Sequence, residues 1–123
     1  MKTNILVIFY SSYGHIFKMS QAVTEKLKEL KDTEVKMVKI PEFESARKNM
    51  STQEAYVEAQ EKQKDIPEAE LEDLDWADGI IWGIPTRFGN MPAQIKQFID
   101  QAGGLWSDGA LEDTVTGIIS RTN

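Results

Sequence analysis

The chain has 123 residues, a length that fits one domain, and its 41% hydrophobic and 28% charged residues are typical of a globular protein. A net charge of −6 disfavours nucleic acids and anionic lipid surfaces as partners. The absence of Cys and the single His exclude disulfides, thiol catalysis and Cys- or multi-His-ligated metals. The longest apolar run, residues 5–10, is too short to span a bilayer, and no signal-peptide pattern precedes it. We therefore expect a cytoplasmic protein with no nucleic-acid partner, no membrane insertion and no metal site.

The first third of the chain predicts a strand, a helix and a second strand. Residues 5–10 are continuously apolar and rich in β-branched side chains, which is typical of a strand buried on both faces of a parallel sheet. Apolar residues then recur at three- and four-residue steps over residues 16–30, which predicts an amphipathic helix ending near Asp32. Residues 35–40 form a shorter strand that Pro41 stops.

The middle of the chain, residues 41–77, is polar, and we expect a single, mostly exposed helix in it, from Ser51 to just before Pro67. An acidic cluster follows, which we interpret as a solvated face because runs of charge seldom do more. Its members are Glu68, Glu70, Glu72, Asp73 and Asp75.

The last third predicts a strand, a helix and a strand. Residues 79–84 are again continuously apolar, Pro92 opens a helix that Gly103-Gly104 ends, and residues 115–120 form a fourth strand. Alternation of helices with fully buried strands predicts an α/β fold with a doubly wound parallel sheet. We expect Trp76 and Trp82 to be packing residues.

Two loops at the carboxyl ends of strands carry the chemistry. Residues 11–16, Ser-Ser-Tyr-Gly-His-Ile, join the first strand to a helix N-terminus, where an anion is favoured, but they match neither the dinucleotide fingerprint nor the P-loop. Their alternative role is helix capping by Ser12 or Gly14. Residues 85–92 follow the third strand and offer the Thr86 hydroxyl, the Arg87 cation and the Phe88 ring as ligand contacts. The alternative interpretation of this segment is a rigid turn with the Phe88 ring in the core. In a sheet ordered 2-1-3-4 the two loops are adjacent, which suggests a mononucleotide with an aromatic head.

Three segments in order, residues 11–16, 83–91 and 100–106, resemble the WrbA-type NAD(P)H:quinone oxidoreductases of the flavodoxin-like superfamily. The resemblance implies FMN as cofactor, NAD(P)H as electron donor and a quinone as substrate, with two-electron reduction by hydride transfer through the flavin. It implies no protein residue as a catalytic group. The residues that it implies for FMN are Ser11, Ser12, Tyr13, Gly14, His15, Ile16, Thr86, Arg87, Phe88 and Thr122, with Tyr13 also matching a nicotinamide contact and Trp106 a quinone-site aromatic.

The end of the chain departs from this family. Members continue after the fourth strand into a third FMN loop of Ser-Ser-Thr-Gly type, two helices and a fifth strand. Here Ser120 and Thr122 keep the loop pattern, while Arg121 and Asn123 replace a Ser and the Gly. We therefore expect residues 1–123 to form one incomplete flavodoxin-like domain without the fifth strand and last helices.

Incomplete cover of the sheet by helices predicts that the chain associates with another chain. With right-handed crossovers, the third and fourth strands would be poorly covered on the face of the first helix, and the fourth strand would be an unprotected edge. Burial of each Val- or Ile-sized side chain is worth about 1.5–3 kcal/mol, so several uncovered ones rival the stability of a small domain. We expect a homo-oligomer, dimer or tetramer, or dependence on a partner.

Three functions remain open from the sequence. The first is the FMN-dependent quinone oxidoreductase. The second is a flavodoxin-like electron carrier or FMN-binding protein without quinone reductase activity, which the acidic charge fits. The third is an inactive truncated paralogue. We expect His15 to offer its backbone N–H rather than to transfer protons, and the sequence leaves Trp106 open between the core and a binding site.

Overall fold

The computed structural model describes residues 2–122, with the backbone alone for Thr122. Strands and helices alternate in the first and last thirds, as predicted, and helices fill the middle. The elements in chain order are β1 (Thr3–Phe9), α1 (His15–Leu27), β2 (Thr33–Lys39), α2 (Glu44–Met50), α3 (Glu54–Gln63), α4 (Leu71–Trp76), β3 (Gly79–Thr86), α5 (Ala93–Asp100), α6 (Gly103–Ser107) and β4 (Val115–Thr122).

The four strands form one parallel sheet in the order β2-β1-β3-β4, which confirms the predicted flavodoxin-like topology. Strand β1 is central: its residues from Ile5 to Phe9 are apolar, and it pairs with strands on both sides. Phe9 at the end of β1 lies opposite Gly83 of β3, so the two strands end at the same edge of the sheet. The segments that follow β1 and β3 therefore start side by side.

Helices cover both faces of the sheet. On one face Leu6 and Ile8 of β1 pack in a cluster with Leu74, Ile95 and Phe98 from α4 and α5. On the other face Phe9 packs with Ile16 and Phe17 of α1, and the rings of Phe9 and Phe17 lie 5.6 Å apart. This double cover explains why β1 has no polar residue between Ile5 and Phe9.

Gly83 lets α1 lie close to the sheet. A Cβ atom at this position would lie 2.6 Å from Ser20 Oγ, 2.9 Å from Ile16 Cγ2 and 2.9 Å from Phe9 Cβ. No larger residue fits without moving the helix. The glycine thus sets the distance between β3 and the first turns of α1, where the candidate site begins.

The polar middle of the chain holds more structure than predicted. Helix α3 falls within the predicted segment, but α2 and α4 were not predicted, and α6 begins at Gly103 whereas α5 already ends at Asp100. Helices of five to seven residues span less than two turns, so their apolar periodicity is too short to detect.

The interpretation of the acidic cluster as wholly solvated is wrong for Asp73, which is only 8% exposed. Its Oδ2 accepts the N–H of Glu70 at 2.9 Å in a capping box that starts α4, and its Oδ1 lies 3.1 Å from Lys36 Nζ. The carboxylate therefore caps a helix and pairs with a cation of β2.

Exposed apolar surface lies on β4 rather than on β3. Ile80 is buried and Trp82 half-buried on the face that α4 and α5 cover, and Ile81 is half-buried on the opposite face, where α1 contacts all four strands. Val115 and Ile118 of β4 are 74% and 68% exposed. The expectation of poor cover is therefore wrong for β3, while β4 is an edge strand as predicted. In residues 2–122 no helix is long and apolar enough to cross a membrane.

Candidate functional site

The β1–α1 loop (residues 10–14) is held from two directions. The Ser11 and Ser12 side chains are buried, and the Gly14 N–H donates to Ser11 Oγ at 3.0 Å. From α3, Gln60 Nε2 donates to the carbonyls of both serines at 3.0 Å, and buried Gln63 donates to the Ser11 carbonyl at 3.2 Å. The loop is thereby fixed in one shape, with its carbonyls turned towards α3.

The N-terminus of α1 has no side-chain cap. Gly14 takes the N-cap position with a φ of 97°, which glycine adopts readily, and the first intrahelical bond runs from Lys18 N–H to the Gly14 carbonyl at 3.1 Å. The N–H groups of His15, Ile16 and Phe17 therefore have no partner within the helix. The first turn also contains no acidic residue. This end of α1 is suited to bind an anion.

Of the two capping residues that the sequence allows, Gly14 takes the N-cap position, and the prediction for Ser12 is wrong. Its hydroxyl donates to Tyr10 Oη at 3.1 Å and accepts from Arg87 at 3.0 Å, so it faces β3 rather than the helix.

The β3–α5 loop (residues 87–92) contains a tight turn that presents an aromatic ring. Arg87 and Asn90 exchange backbone hydrogen bonds of 2.9 and 3.0 Å, and the two residues between them have φ values of 55° at Phe88 and 76° at Gly89. Two positive φ angles are the pattern of a type I′ turn. The Phe88 side chain is 105% exposed, so its placement in the core is wrong. A bulky residue in a left-handed conformation with a solvated ring is a strained feature typical of binding sites.

Arg87 ties the two loops together. Its guanidinium donates to Tyr10 Oη at 2.9 Å and to Ser12 Oγ, and it lies 5.4 Å from the centre of the Tyr10 ring. The Glu42 carboxylate accepts from Tyr10 Oη on one oxygen and from Gln94 Nε2 on the other. The predicted adjacency of the two loops is confirmed, and a network of charge-assisted hydrogen bonds fixes it.

The environment of Tyr10 keeps its phenol protonated. Burial raises the pKa of Tyr10 well above its usual range, and the hydrogen bond to the Glu42 carboxylate raises it further. In its protonated form the phenol donates to Glu42 and accepts from Arg87. Sequence reasoning missed Tyr10, Glu42 and Gln94 as site residues. Only Tyr10 had a local signal, a polar group directly after β1, because the other two come from distant segments.

The remaining residues predicted for the first loop lie around the α1 N-terminus. Tyr13 is partly exposed, its hydroxyl donates to Gln53 Oε1 at 2.6 Å, and its ring lies edge-on to Tyr56. His15 is exposed, and its Nδ1 lies 3.1 Å from Arg121. Ile16 is buried against the sheet, so only its backbone faces the site.

Thr86, Thr122 and Trp106 complete the predicted set. Thr86 is half-buried at the end of β3, opposite the backbone of Thr122 in β4. The Thr122 side chain, predicted to bind the cofactor, lies outside the described part of the structure. Trp106 is 78% exposed in α6 beside Gly109 and Leu111, so it is not a core residue, and it lines a different depression from that of the two loops.

A cleft of about 520 Å³ adjoins the β1–α1 loop on its β2 side. Tyr10 and Ser11 line it together with Tyr56 and Gln60 of α3, and Thr86 does not. The cleft is large enough for a small molecule.

Comparisons with known proteins extend over nearly the whole chain. The model of the NADPH-dependent FMN reductase family matches residues 3–122. A protein of Geobacter sulfurreducens named NAD(P)H dehydrogenase (quinone) is 40% identical over 117 residues, which are 95% of this chain and 57% of that protein. A protein of the same name from Aromatoleum aromaticum is 41% identical over 118 residues, which are 96% of this chain and 56% of that protein.

Among solved structures, the flavodoxin, WrbA-like protein from Agrobacterium tumefaciens has a TM-score of 0.67 at 25% identity. The match covers 98% of this chain and 60% of that one. The chain thus spans little more than half the length of the curated relatives that it matches.

Proposed function

We propose, on the premise that this chain belongs to the NADPH-dependent FMN reductase family, that it binds FMN and takes part in two-electron reduction of quinones by NAD(P)H. The relatives named NAD(P)H dehydrogenase (quinone) support the reaction. The observation that carries the proposal is the uncapped N-terminus of α1, directly beside the loop that presents Arg87 and Phe88.

The residues present fit FMN. A phosphate requires donors without competing acceptors, and the first turn of α1 offers three N–H groups with no intrahelical partner and no nearby acidic residue of its own. A flat ring requires an apolar surface next to that anion site, and the exposed ring of Phe88 supplies it. Gly14 lets the backbone approach the phosphate without interference from a Cβ atom.

Each site residue has a distinct role in this proposal. Residues 11–16 hold the phosphate and ribityl chain, mainly through backbone N–H groups because both serine hydroxyls are engaged within the protein. Thr86 and Phe88 contact the flavin ring. Arg87 holds the two loops next to each other through its hydrogen bonds to Tyr10 and Ser12. It presents its remaining N–H groups to the edge of the flavin ring. Thr122, at the end of β4, is the remaining FMN-binding residue of this proposal.

The chemistry that bound FMN would supply is acceptance of a hydride from NAD(P)H and delivery of two electrons to the quinone. The protein orients the reactants: Tyr13, at the rim of the loop, contacts the nicotinamide, and Trp106 contacts the quinone. The charge and composition favour a cytoplasmic location, and the exposed edge of β4 favours a homo-oligomer, a dimer or a tetramer.

The proposal is tested by titrating flavin into wild type and a matched pair of serine variants. Ser11→Ala removes the acceptor of the Gly14 N–H and loosens the loop, whereas Ser45→Ala alters an exposed serine of α2. We expect wild type and S45A to quench FMN fluorescence equally, S11A to bind about tenfold more weakly, and wild type to reduce benzoquinone with NADH. Absence of quenching in wild type would remove the proposal, and binding without turnover would leave a flavin-binding protein that lacks the reductase activity.

A further inference from the structure

Arg121 places a guanidinium at the N-terminus of α1. It lies near the end of β4, paired with Pro85 of β3, and its Nη1 atom is 3.1 Å from Nδ1 of His15, the first residue of α1. A guanidinium can only donate, so His15 Nδ1 is the acceptor in this contact. The contact fixes the cation beside the free N–H groups of the first turn.

The charge of Arg121 is not neutralised by a carboxylate in the part of the chain that the structure describes. No Asp or Glu of residues 2–122 forms an ion pair with it, and its side chain is exposed. The β1–α1 loop has no Lys or Arg of its own, and Arg87 donates through Nη2 to Tyr10 and Ser12 and is assigned to the flavin ring rather than to the phosphate. Arg121 is therefore a cation available to an anion bound at this end of α1, beside the side chain of its first residue.

We propose that Arg121 is a specificity-determining residue that selects the phosphorylated form of the flavin. Its guanidinium contacts the phosphate held by the first turn of α1, adding a charged donor to a set of otherwise neutral ones. This inference rests on the proposed FMN site. It predicts that Arg121 discriminates FMN from riboflavin and contributes little to binding of the ring.

The test compares binding of FMN and of riboflavin, both followed by flavin fluorescence. Arg121→Gln removes the positive charge, and Arg121→Lys keeps the charge but lacks the planar guanidinium group. Lys28→Gln is the control, because it removes the same charge at the exposed C-terminal end of α1. We expect R121Q to raise the Kd for FMN about tenfold and leave that for riboflavin within about twofold. R121K should recover part of the loss, and K28Q should match wild type for both flavins.

The outcomes separate this inference from the proposed function. If wild type binds FMN and R121Q keeps the same ratio of FMN to riboflavin affinity, Arg121 does not select phosphate, although the FMN site stands. If R121Q and R121K weaken both flavins equally, the residue acts on the fold and the inference is wrong. If wild type binds neither flavin, the proposed function and this inference both fail.

Discussion

Phe88 combines a backbone conformation that bulky residues avoid with a side chain that packs against nothing. At a φ of 55° a residue with a Cβ atom is strained by about 1–2 kcal/mol, and full exposure of the ring returns no burial energy. Asn or Gly would suit this turn position better. The simplest physical reason to place Phe there is contact with a ligand.

The Phe88→Asn variant should therefore be more stable but bind flavin less well. We expect its free energy of unfolding to rise by about 1 kcal/mol because Asn tolerates the left-handed region, while its FMN affinity falls. Urea denaturation and flavin titration measure the two effects. Met91→Asn is the control, since Met91 is exposed in the same loop without a positive φ. A loss of stability in F88N would show that the turn is not strained.

Tyr10 makes stability sensitive to alkaline pH. Its pKa in the folded chain is raised above the value of about 10 in the unfolded chain, so the folded state holds the proton more tightly. The resulting stabilisation is fully present below about pH 10 and is lost as the pH rises towards the folded-state value. Tyr56, whose pKa burial also raises, contributes in the same direction.

The Tyr10→Phe variant separates the two contributions of this phenol. Near pH 8 we expect it to be less stable by about 1 kcal/mol, because Glu42 loses a donor. Between about pH 9 and 11 its urea midpoint should fall less steeply than that of wild type. Met91→Asn, which changes an exposed residue without an ionisable group, should keep the wild-type slope. Identical slopes for Y10F and wild type would contradict the protonation argument.

Among the elements, the contact between α1 and β3 depends on one glycine. Gly83→Ala would force a Cβ atom into the Ser20, Ile16 and Phe9 side chains, so we expect a loss of about 1–3 kcal/mol in the free energy of unfolding. Gly117→Ala in β4, where a Cβ atom would meet nothing within 4 Å, should change stability by less than about 0.5 kcal/mol. Equal effects of the two variants would show that α1 does not pack as closely as described.

How well each element could be predicted depends on its length and periodicity. The buried strands β1 and β3 and the helix α1 carry long, regular apolar patterns, and both strands were predicted within two residues of their observed bounds. The start of α1 was also predicted, but the helix ends at Leu27, five residues before the predicted end near Asp32. Helices α2, α4 and α6 are too short for a period, and α4 depends on a capping box whose Asp73 also pairs with Lys36, 37 residues away in sequence. Such contacts exist only in three dimensions.

The candidate site also has parts that could be predicted from the sequence and parts that could not. The two loops were visible because turn formers, hydroxyls and a cation follow apolar strands, and the topology then fixed their adjacency. The network that joins them was not visible, since Glu42 and Gln94 reach Tyr10 from separate segments. The exposure of Phe88 also needed the structure, because sequence allows a ring after a strand to point inward or outward.

At the scale of the whole molecule, β4 is the surface most suited to association. It is an edge strand of the sheet formed by residues 2–122, and Val115 and Ile118 expose most of their side chains. We expect wild type to self-associate with increasing concentration in sedimentation velocity, and Ile118→Lys to shift it towards the monomer. Val57→Lys, at an exposed apolar position of α3, is the control. A monomer at every concentration would contradict association through β4.

The central claim is that FMN binds where the first turn of α1 meets the β3–α5 loop, and backbone amide NMR tests it most directly. On titration of FMN into ¹⁵N-labelled protein, we predict that the largest shift changes fall on the amides of His15, Ile16, Phe17 and Phe88 and saturate with the fluorescence quenching. Shift changes confined to the cleft lined by Tyr56 and Gln60, or no changes at all, would contradict the claim.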